Sequence, residues 1–320
     1  MSAPSPRSAS RAGAGAEPKG GLHVTAASSS NSAKANALLF VTVALWGSNV
    51  PLVKWLTGAF DPVLLSALRM GAASCVLSLL LLRQGPRKAL TGHQRVQLMI
   101  CGFFMVYLNQ VFFVAGVARS TATNGTLISA SNAMFGSLLA WIFLRERFPG
   151  RRMMGIALGM AGVAMVILMR PGADLAEGGL GDVMVVIATI AFVAGGVMVQ
   201  RLAVDVDAVT ISVGVHIVGG LCLLFHLGVQ SAWTGQLPRA DGLPVAWVAV
   251  ILSGVVATGL GNLMWNRAIA IVGMARASVW TYWMPLFGVA LSVSLLGEPL
   301  TPWHVLGLLL VLGGTRLGSR

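Results

Sequence analysis

Charged side chains are scarce in this sequence, and their scarcity excludes a water-soluble fold. Only 10% of the 320 residues are charged, whereas 56% are hydrophobic. Soluble domains carry about 25% charged residues, and a chain of this length could not cover a water-exposed surface with so few. We therefore expect most of the surface to face lipid and the chain to be an integral membrane protein.

Only ten residues are acidic, and none lies in the middle of an apolar run. Carriers that are coupled to protons or sodium ions commonly use a carboxylate at mid-membrane depth. The acids here lie instead in the N-terminal tail, in predicted loops or at helix ends: Glu17, Asp61, Glu146, Asp174, Glu177, Asp182, Asp205, Asp207, Asp241 and Glu298. Their placement favours facilitated export or exchange over tight coupling through a buried acid.

Cysteine is rare too, and the sequence offers no catalytic or metal-binding constellation. Cys75, Cys101 and Cys222 lie within apolar runs at spacings that fit no metal site, so we interpret them as packing residues. An enzyme working inside the membrane would need a nucleophile beside a base, or a cluster of metal ligands. Neither arrangement is present, so we expect a protein that is not an enzyme and binds no cofactor.

Apolar runs, by contrast, are abundant, and ten of them are long enough to cross a bilayer, which needs about 20 residues. They cover residues 36–56, 62–82, 96–118, 122–144, 152–170, 182–201, 208–230, 244–266, 276–296 and 302–318. The predicted fold class is an all-α integral membrane protein with ten transmembrane helices. Residues 1–35, rich in Ser, Ala and Gly, are predicted to form a disordered cytoplasmic tail, although an organelle transit peptide would have a similar composition.

The net charge of +12 would suggest nucleic-acid binding in a soluble protein. Here the positions of the basic residues explain it, because loops on the cytoplasmic side carry excess Lys and Arg. One side collects Arg7, Arg11, Lys19, Lys34, Arg83, Arg87, Lys88, Arg95, Arg145, Arg147, Arg151, Arg152, Arg201, Arg267, Arg276, Arg316 and Arg320. The other side receives only Arg119, Arg170 and Arg239. We therefore predict a multi-pass protein of the cell (inner or plasma) membrane with both termini in the cytoplasm, and no nucleic-acid partner.

The two halves of the chain resemble each other at a constant offset of 152 residues, the separation between positions 133 and 285. The matched pairs include Gln110 with Asn262, Phe113 with Trp265, Phe135-Gly136 with Phe287-Gly288, Glu146 with Glu298, Gly155 with Gly307, and Gly162 with Gly314. Each unit, 36–170 and 182–318, holds five spans, so the two copies must insert in opposite orientations. Inverted repeats of this kind are the architecture of many secondary transporters, which open alternately to the two sides.

Several short motifs follow one another in a characteristic order along the spans. They are Leu45-Trp46-Gly47-Ser48-Asn49 with Pro51 and Lys54, Leu68-Arg69, Leu144-Arg145-Glu146, Trp265-Asn266-Arg267, Pro285-Leu286-Phe287 and Leu296-Gly297-Glu298. Together they resemble the drug/metabolite transporter superfamily, EamA type, over everything after the tail. The resemblance implies export or exchange of amino acids, metabolites or drugs, without fixing the substrate. Ala133 stands where the family usually has Pro, so we expect the kink at Pro285 to lack a counterpart in the first half.

Polar side chains within the spans are the first candidates for substrate binding, because such groups usually face a bundle interior or a wet cavity. The set comprises Asn49, Lys54, Arg69, Asn109, Gln110, Asn132, His216, Asn262 and Asn266. The amides suit hydrogen bonding to a substrate in a central cavity, although hydrogen bonds between helices would use the same side chains. His216 suits a proton carrier, but a lone histidine in a span more often has a structural role.

Lys54 and Arg69 lie near the ends of their helices, where long basic side chains commonly extend to the membrane interface. We favour that interpretation for both. The alternative is attraction of a carboxylate or phosphate, and it is more attractive for Lys54. Lys54 follows Pro51, and a helix break there would free backbone groups to meet a ligand.

Aromatic residues cluster at the start of the ninth span, and they complete the predicted site. An interfacial belt would explain the cluster, but it lies several residues in from the membrane edge, where aromatic rings would stack on planar or apolar substrate groups. The predicted substrate-binding set is Trp46, Asn49, Lys54, Asn109, Gln110, Asn132, His216, Asn262, Trp280, Tyr282 and Trp283. Pro51 and Pro285 are predicted hinges.

These observations predict a secondary transporter that carries small metabolites, such as amino acids, by alternating access. A nucleotide-sugar or sugar-phosphate carrier of the same superfamily is the second hypothesis, but it would need several cationic groups in the cavity. A non-transporting membrane scaffold is a third. The expected partners are a small-molecule substrate and the lipid bilayer, with homo-oligomers possible.

Overall fold

The computed structural model describes residues 21–84, 89–144, 150–169 and 178–318. Over these residues the chain is helical, apart from turns, loops and one isolated bridge between Phe60 and Ala240. The helices are α1 (Gly21–Leu56), α2 (Pro62–Leu82), α3 (Gly92–Arg119), α4 (Ala122–Ser129 continued by Asn132–Leu144), α5 (Gly150–Leu168), α6 (Gly178–Leu202), α7 (Ala208–Thr234), α8 (Pro244–Val272), α9 (Met274–Leu296) and α10 (Pro302–Gly318).

Eight of these helices are long and apolar enough to cross a membrane, and the prediction of an all-helical, multi-pass membrane protein is confirmed. The other two, α5 and α10, contain shorter apolar stretches, Met153–Val166 and Pro302–Gly314. Each predicted span coincides with one helix, but the count of ten crossings stays a prediction. α1 begins at Gly21, within the predicted tail, and the disorder of the tail stays a prediction. No proline interrupts the chain between Pro18 and Pro51. Residues 1–20 lie outside the described residues.

Local capping residues set several of the helix ends. Asp61 accepts hydrogen bonds from the backbone of the first turn of α2, and Pro62 occupies the first helical position, where its missing N–H is harmless. Asp207 caps α7 in the same way. Gly235 and Gly297 end α7 and α9 with φ of 65° and 66°, a left-handed conformation that favours glycine. The short polar connections thus follow directly from the sequence.

Four helices are irregular near their middles. α3 contains a π-helical segment at Phe103–Leu108, and α8 contains one at Ser253–Leu260. α4 is interrupted at residues 130–131, and α9 passes through a 3₁₀ segment at Trp280–Trp283. Irregular backbone at membrane depth is tolerated where it is buried in protein or lines a cavity.

The interruption in α4 corrects an expectation drawn from Ala133. Although no proline is present, the helix breaks just before that residue. The Ser131 hydroxyl donates to the Ile128 carbonyl at 2.6 Å, and the Ser129 hydroxyl donates to the Gly125 carbonyl at 2.7 Å. Serine side chains that bond back to preceding carbonyls bend helices. We attribute the break to these serines.

Glycine-lined contacts hold α5 against α10. A Cβ atom added at Gly162 would lie 2.6 Å from the Gly307 carbonyl oxygen, and one added at Gly314 would lie 2.4 Å from the Gly155 carbonyl oxygen. Glycines at these positions let the two helices approach closely, whereas Gly313 is exposed. The remaining helices pack with one another in a different pattern, with α1 against α8 and α9, α6 against α3 and α4, and α2 against α7 and α8.

The three cysteines are unpaired and differ in exposure. Cys101 is buried and Cys222 is half-buried, which fits the predicted packing role. Cys75 is exposed on the outer surface of α2, so the prediction is wrong for this residue. Apolar runs in a membrane protein face lipid as well as neighbours, and hydropathy alone does not separate the two. Among the described residues, no group of His, Cys, Asp and Glu could hold a metal ion.

Candidate substrate cavity

A central cavity lies between eight helices, α1 to α4 and α6 to α9. Its empty space measures about 710 Å³, including the part that is open to solvent. The wall consists of Trp46, Asn49, Val50, Arg69, Met70, Met105, Val106, Asn109, Gln110, Phe113, Ser129, Asn132, Thr189, Phe192, His216, Ala257, Thr258, Asn262 and Met284. Both π-helical segments and the break in α4 contribute residues to this wall or adjoin it. Four helices from each half of the chain therefore enclose one polar space.

The structure brings together seven of the eleven residues predicted to bind substrate. The seven in the cavity wall are Trp46, Asn49, Asn109, Gln110, Asn132, His216 and Asn262. Residues that the sequence did not single out also line it, among them Phe113, Phe192 and Thr258. Their apolar or small side chains gave no signal in the sequence. Substrate binding by any of these residues stays a prediction.

Arg69 occupies the cavity wall and is only 3% exposed. The expectation that its side chain reaches the membrane interface is therefore wrong. Its guanidinium donates from Nε to the Ser253 hydroxyl at 3.0 Å, from Nη1 to Gln110 Oε1 at 3.2 Å and from Nη2 to the Thr258 hydroxyl at 3.0 Å. These three partners are neutral and belong to α3 and α8, so a buried cation is held in place by uncharged groups.

The hydrogen bonds of Arg69 extend into a network across the cavity wall. The Ser253 hydroxyl, which accepts from Arg69, donates to Asn49 Oδ1 at 2.6 Å. Gln110 Nε2 donates to Asn109 Oδ1 at 3.0 Å, and Asn109 Nδ2 donates to the Ala188 carbonyl at 3.0 Å. The network thus links α1, α2, α3, α6 and α8 and fixes the orientation of several predicted binding residues.

Asn262, Asn132 and His216 also line the cavity. Asn262 Nδ2 donates to the Thr258 carbonyl within α8 at 2.9 Å. His216 Nδ1 is bonded to the Ser212 carbonyl at 2.7 Å, a contact that requires a proton on that nitrogen. Its Nε2, like Asn132 Oδ1, is buried and has no hydrogen-bond partner among the described residues. Asn266, by contrast, is buried outside the wall and donates to the Ser212 hydroxyl at 3.0 Å, a structural role.

Aromatic rings form one apolar part of the cavity wall. Trp46 packs edge-on against Phe192 with ring centroids 5.3 Å apart, and its ring lies 5.0 Å from that of the fully buried Trp265. Its indole N–H donates to the Ala257 carbonyl at 2.9 Å, within the π-helical part of α8. Trp46 is therefore fixed by neighbours from α6 and α8 while one part of it faces the cavity.

The remaining four predicted binding residues do not line the cavity. Trp283 is 48% exposed and contacts Phe40 edge-on at 6.0 Å, on the outer surface where lipid is expected. Trp280 is half-buried and packs against the core. The Tyr282 hydroxyl is buried and has no hydrogen-bond partner in the part of the chain that the structure describes. The irregular 3₁₀ backbone of this segment turns the cluster away from the cavity, a rotation that residue spacing alone could not predict.

Lys54 is the fourth, and its ammonium caps the end of α3. Its ammonium donates to the carbonyls of Val117, Ala118 and Ser120 at 3.0, 3.0 and 2.5 Å. A cation at this position satisfies carbonyls that the helix end leaves unpaired and complements the negative end of the helix dipole. The three donors of the ammonium are used in these bonds, so the side chain does not extend to the interface, and substrate binding by Lys54 stays a prediction.

Two acidic residues complete a polar cluster around the same turn. Asp182, buried near the start of α6, accepts from the Ser120 hydroxyl and from Asn124 Nδ2, the latter at 3.0 Å. Glu298 follows the end of α9, and its two oxygens accept from the first N–H groups of α4, each at 2.8 Å. We call Lys54, Ser120, Asn124, Asp182 and Glu298 the turn cluster. It joins α1, α3, α4, α6 and α9 at one end of the cavity.

The two predicted hinge prolines differ in their surroundings. Pro51 is buried inside α1, which continues to Leu56, so it removes the hydrogen bond to the Gly47 carbonyl without ending the helix. At Gly47 the backbone comes so near α9 that an added Cβ would lie 2.6 Å from the Met284 carbonyl oxygen. Pro285 begins the regular part of α9, directly after the 3₁₀ segment. Both positions therefore adjoin the α1–α9 contact.

Comparison with known proteins places this arrangement in a family. The chain is 25% identical over 279 residues to the uncharacterized transporter YyaM of Bacillus subtilis, covering 85% of this chain and 89% of that protein. It is 23% identical to an S-adenosylmethionine/S-adenosylhomocysteine transporter of Chlamydia muridarum, over 88% and 89% of the two chains. A solved crystal structure has the same fold, with a TM-score of 0.68 at 17% identity, over 89% of this chain and 98% of that one. The profile of the EamA-like transporter family matches residues 33–168 and again 179–319. The chain belongs to the EamA-like transporter family and is a multi-pass membrane transporter.

Proposed function

We propose that the protein is a secondary transporter that moves small metabolites, such as amino acids or related compounds, through the central cavity by alternating access. The observation that carries this proposal is the composition of the cavity wall. Four helices from each half contribute to it, and amide, hydroxyl and guanidinium groups from them converge on one space inside an apolar bundle. Such groups are expensive in a membrane unless they face a wet cavity or one another. Binding of a polar solute would explain why these groups converge on one space.

The two halves, in this proposal, are inverted five-helix repeats, and ten helices cross the membrane. The irregular backbone segments support this arrangement, because they recur in the two halves at the offset of 152 residues found in the sequence. The π-helical segment Phe103–Leu108 corresponds to residues 255–260, inside the segment Ser253–Leu260. The interruption of α4 at residues 130–131 corresponds to 282–283, at the end of the 3₁₀ segment of α9. Irregularities retained at equivalent positions favour two copies of one structural unit.

The turn cluster, we infer, holds one end of the cavity closed in this conformation. Glu298 lies beyond α9 in the second half, yet it caps α4 in the first half, and Asp182 joins α6 to the α3–α4 turn. Bonds of this kind must break if the halves separate at that end. The distribution of Lys and Arg favours an orientation with both termini in the cytoplasm and the turn cluster on the external side, and we propose that the membrane is the cell (inner or plasma) membrane.

Among related functions, a sugar-phosphate or nucleotide-sugar carrier has less support. Phosphate groups are bound by several Arg and Lys side chains. Arg69 is the sole Lys or Arg among the described residues that line the cavity, because Lys54 is used to cap α3. Transport of S-adenosyl compounds, named for the Chlamydia relatives, remains a second candidate, since the aromatic wall suits stacking on a purine. A scaffold without transport activity would leave the polar cavity unexplained.

The test is counterflow in proteoliposomes loaded with a panel of amino acids, hydroxy acids and S-adenosyl compounds. Purified protein should exchange at least one labelled compound, and Ala257→Phe, which fills the cavity from α8, should abolish the exchange. Leu252→Phe on the same helix is the control, because Leu252 is 56% exposed on the outer surface. Exchange that survives Ala257→Phe would place the transport path elsewhere. Absence of exchange for every compound would contradict the proposed substrate class.

A further inference from the structure

We propose that Arg69 makes the cavity selective for charge, so that it accepts solutes carrying an anionic group and rejects cations. The inference rests on the proposed function, in which the cavity is the transport path. It adds the chemical class of the substrate: a small organic acid whose carboxylate pairs with the guanidinium of Arg69. Neither the family nor the named relatives specify this property.

The surroundings of Arg69 leave its charge uncompensated. The side chain is 3% exposed, and its three hydrogen-bond partners are a serine, a glutamine and a threonine. Among the described residues of the cavity wall none is acidic. A buried charge without a counter-charge is costly, and the positive potential that it creates attracts anions into the low-dielectric space. An anionic solute would supply the missing counter-charge each time it binds.

The geometry of the guanidinium leaves room for this pairing. An arginine side chain has five N–H donors, and three are used by Ser253, Gln110 and Thr258. The other two, one on each terminal nitrogen, have no partner among the described residues. Arginine donors in this planar arrangement match the two oxygens of a carboxylate. The three neutral bonds hold the guanidinium in place, so that it does not swing away from the cavity.

A purely structural role is the alternative to be tested. The same three bonds connect α2 to α3 and α8, and a structural cross-link would need no solute. Such a cross-link predicts that the loss of Arg69 destabilises the protein but leaves the cavity indifferent to solute charge. Charge selectivity is therefore the measurement that separates the two roles, and it can be made before any substrate is known.

The experiment uses a cysteine in the cavity wall and two reagents of opposite charge. Ser129→Cys is introduced into the full chain after Cys75, Cys101 and Cys222 have been replaced by serine or alanine. Its modification by negatively charged sulfonatoethyl methanethiosulfonate is compared with modification by positively charged aminoethyl methanethiosulfonate. Each rate is divided by the rate of the same reagent with a small free thiol. Arg69→Gln removes the charge, and Arg83→Gln, at an exposed position at the end of the same helix, is the control.

With Arg69 present, we expect the normalised rate of the anionic reagent to exceed that of the cationic reagent about tenfold or more. Arg69→Gln should abolish this preference, and Arg83→Gln should leave it unchanged. Equal normalised rates with Arg69 in place would overturn the proposal even if Arg69→Gln fails to fold, as would a preference that survives Arg69→Gln. Failure of both reagents to reach the cysteine would instead contradict the proposed function, because no solute path would then lead to the cavity.

Discussion

The contact between Glu298 and the start of α4 yields the most specific mechanical prediction. Both carboxylate oxygens accept backbone N–H groups, from Ala122 and Thr123, at 2.8 Å each. The substitution Glu298→Gln keeps the length of the side chain but removes its charge. The amide oxygen of the new side chain can still accept a hydrogen bond from one backbone N–H. Its NH₂ group is itself a donor and cannot accept from the second backbone N–H. The variant should therefore lose one bond entirely and weaken the other.

The expected magnitude follows from these two bonds. Hydrogen bonds to charged groups contribute about 1.5–3 kcal/mol each, and neutral ones about 1 kcal/mol. Since Glu298 is only half-buried, we take the low end and expect the closed state to be destabilised by about 2 kcal/mol. Each 1.4 kcal/mol corresponds to a factor of ten, so opening at the turn cluster should become about 30-fold more frequent.

Hydrogen–deuterium exchange of the protein in nanodiscs measures this opening. Peptides that cover the first turn of α4 should exchange about 30-fold faster in Glu298→Gln, in the regime where exchange follows the opening equilibrium. Asp61→Asn is the control, because Asp61 Oδ1 accepts from two N–H groups of its own helix, α2, at 2.8 and 3.2 Å, and Oδ2 accepts from Gln230 of α7 at 3.2 Å. It removes a helix-capping charge outside the turn cluster and should leave exchange at the start of α4 unchanged. Unchanged α4 exchange in Glu298→Gln, or faster α4 exchange in Asp61→Asn, would show that Glu298 does not hold this end of the cavity closed.

Three further predictions concern stability and binding. Lys54→Met should lower the free energy of unfolding by about 2 kcal/mol or more, because it leaves the α3 carbonyls unpaired, and should leave the affinity for any exchanged solute unchanged; melting curves and counterflow titrations measure both. Gly162→Leu should destabilise the protein by about 1–3 kcal/mol by forcing α5 from α10, whereas Gly313→Leu should leave the melting temperature unaltered. Trp46→Phe removes the bond to the Ala257 carbonyl and should raise the half-saturation concentration in counterflow about fivefold, corresponding to a bond of about 1 kcal/mol.

Hydropathy predicted the helices well, because a bilayer imposes a length and a composition on each crossing. The predicted span 62–82 coincides with α2, and the run 122–144 coincides with α4. The start of α1 was less predictable, because residues 21–35 form helix outside the apolar run that begins at residue 36. The interruption of α4 also escaped the sequence, since we tied the kink to proline whereas the serines beside Ala133 are better placed to cause it.

The cavity was partly predictable, because amide side chains within apolar runs usually face the bundle interior or a wet cavity. Asn49, Asn109 and Gln110 line it as expected. The contacts of long basic side chains were the least predictable part, since such a side chain can reach several different groups. Lys54 donates to carbonyls at the end of α3, and Arg69 donates to hydroxyl groups 184 and 189 residues away along the chain. Contacts at that sequence separation depend on how the two halves pack, which residue spacing does not encode.

The claim that one cavity opens alternately to the two sides of the membrane has a direct test. A membrane-impermeant thiol reagent is applied to cysteine-free protein carrying Ser129→Cys, in right-side-out and in inverted vesicles. Ser129 is 5% exposed and lies in the cavity wall. Alternating access predicts modification from both sides, with the external rate rising in Glu298→Gln. Modification from one side alone, in every variant, would contradict alternating access through this cavity.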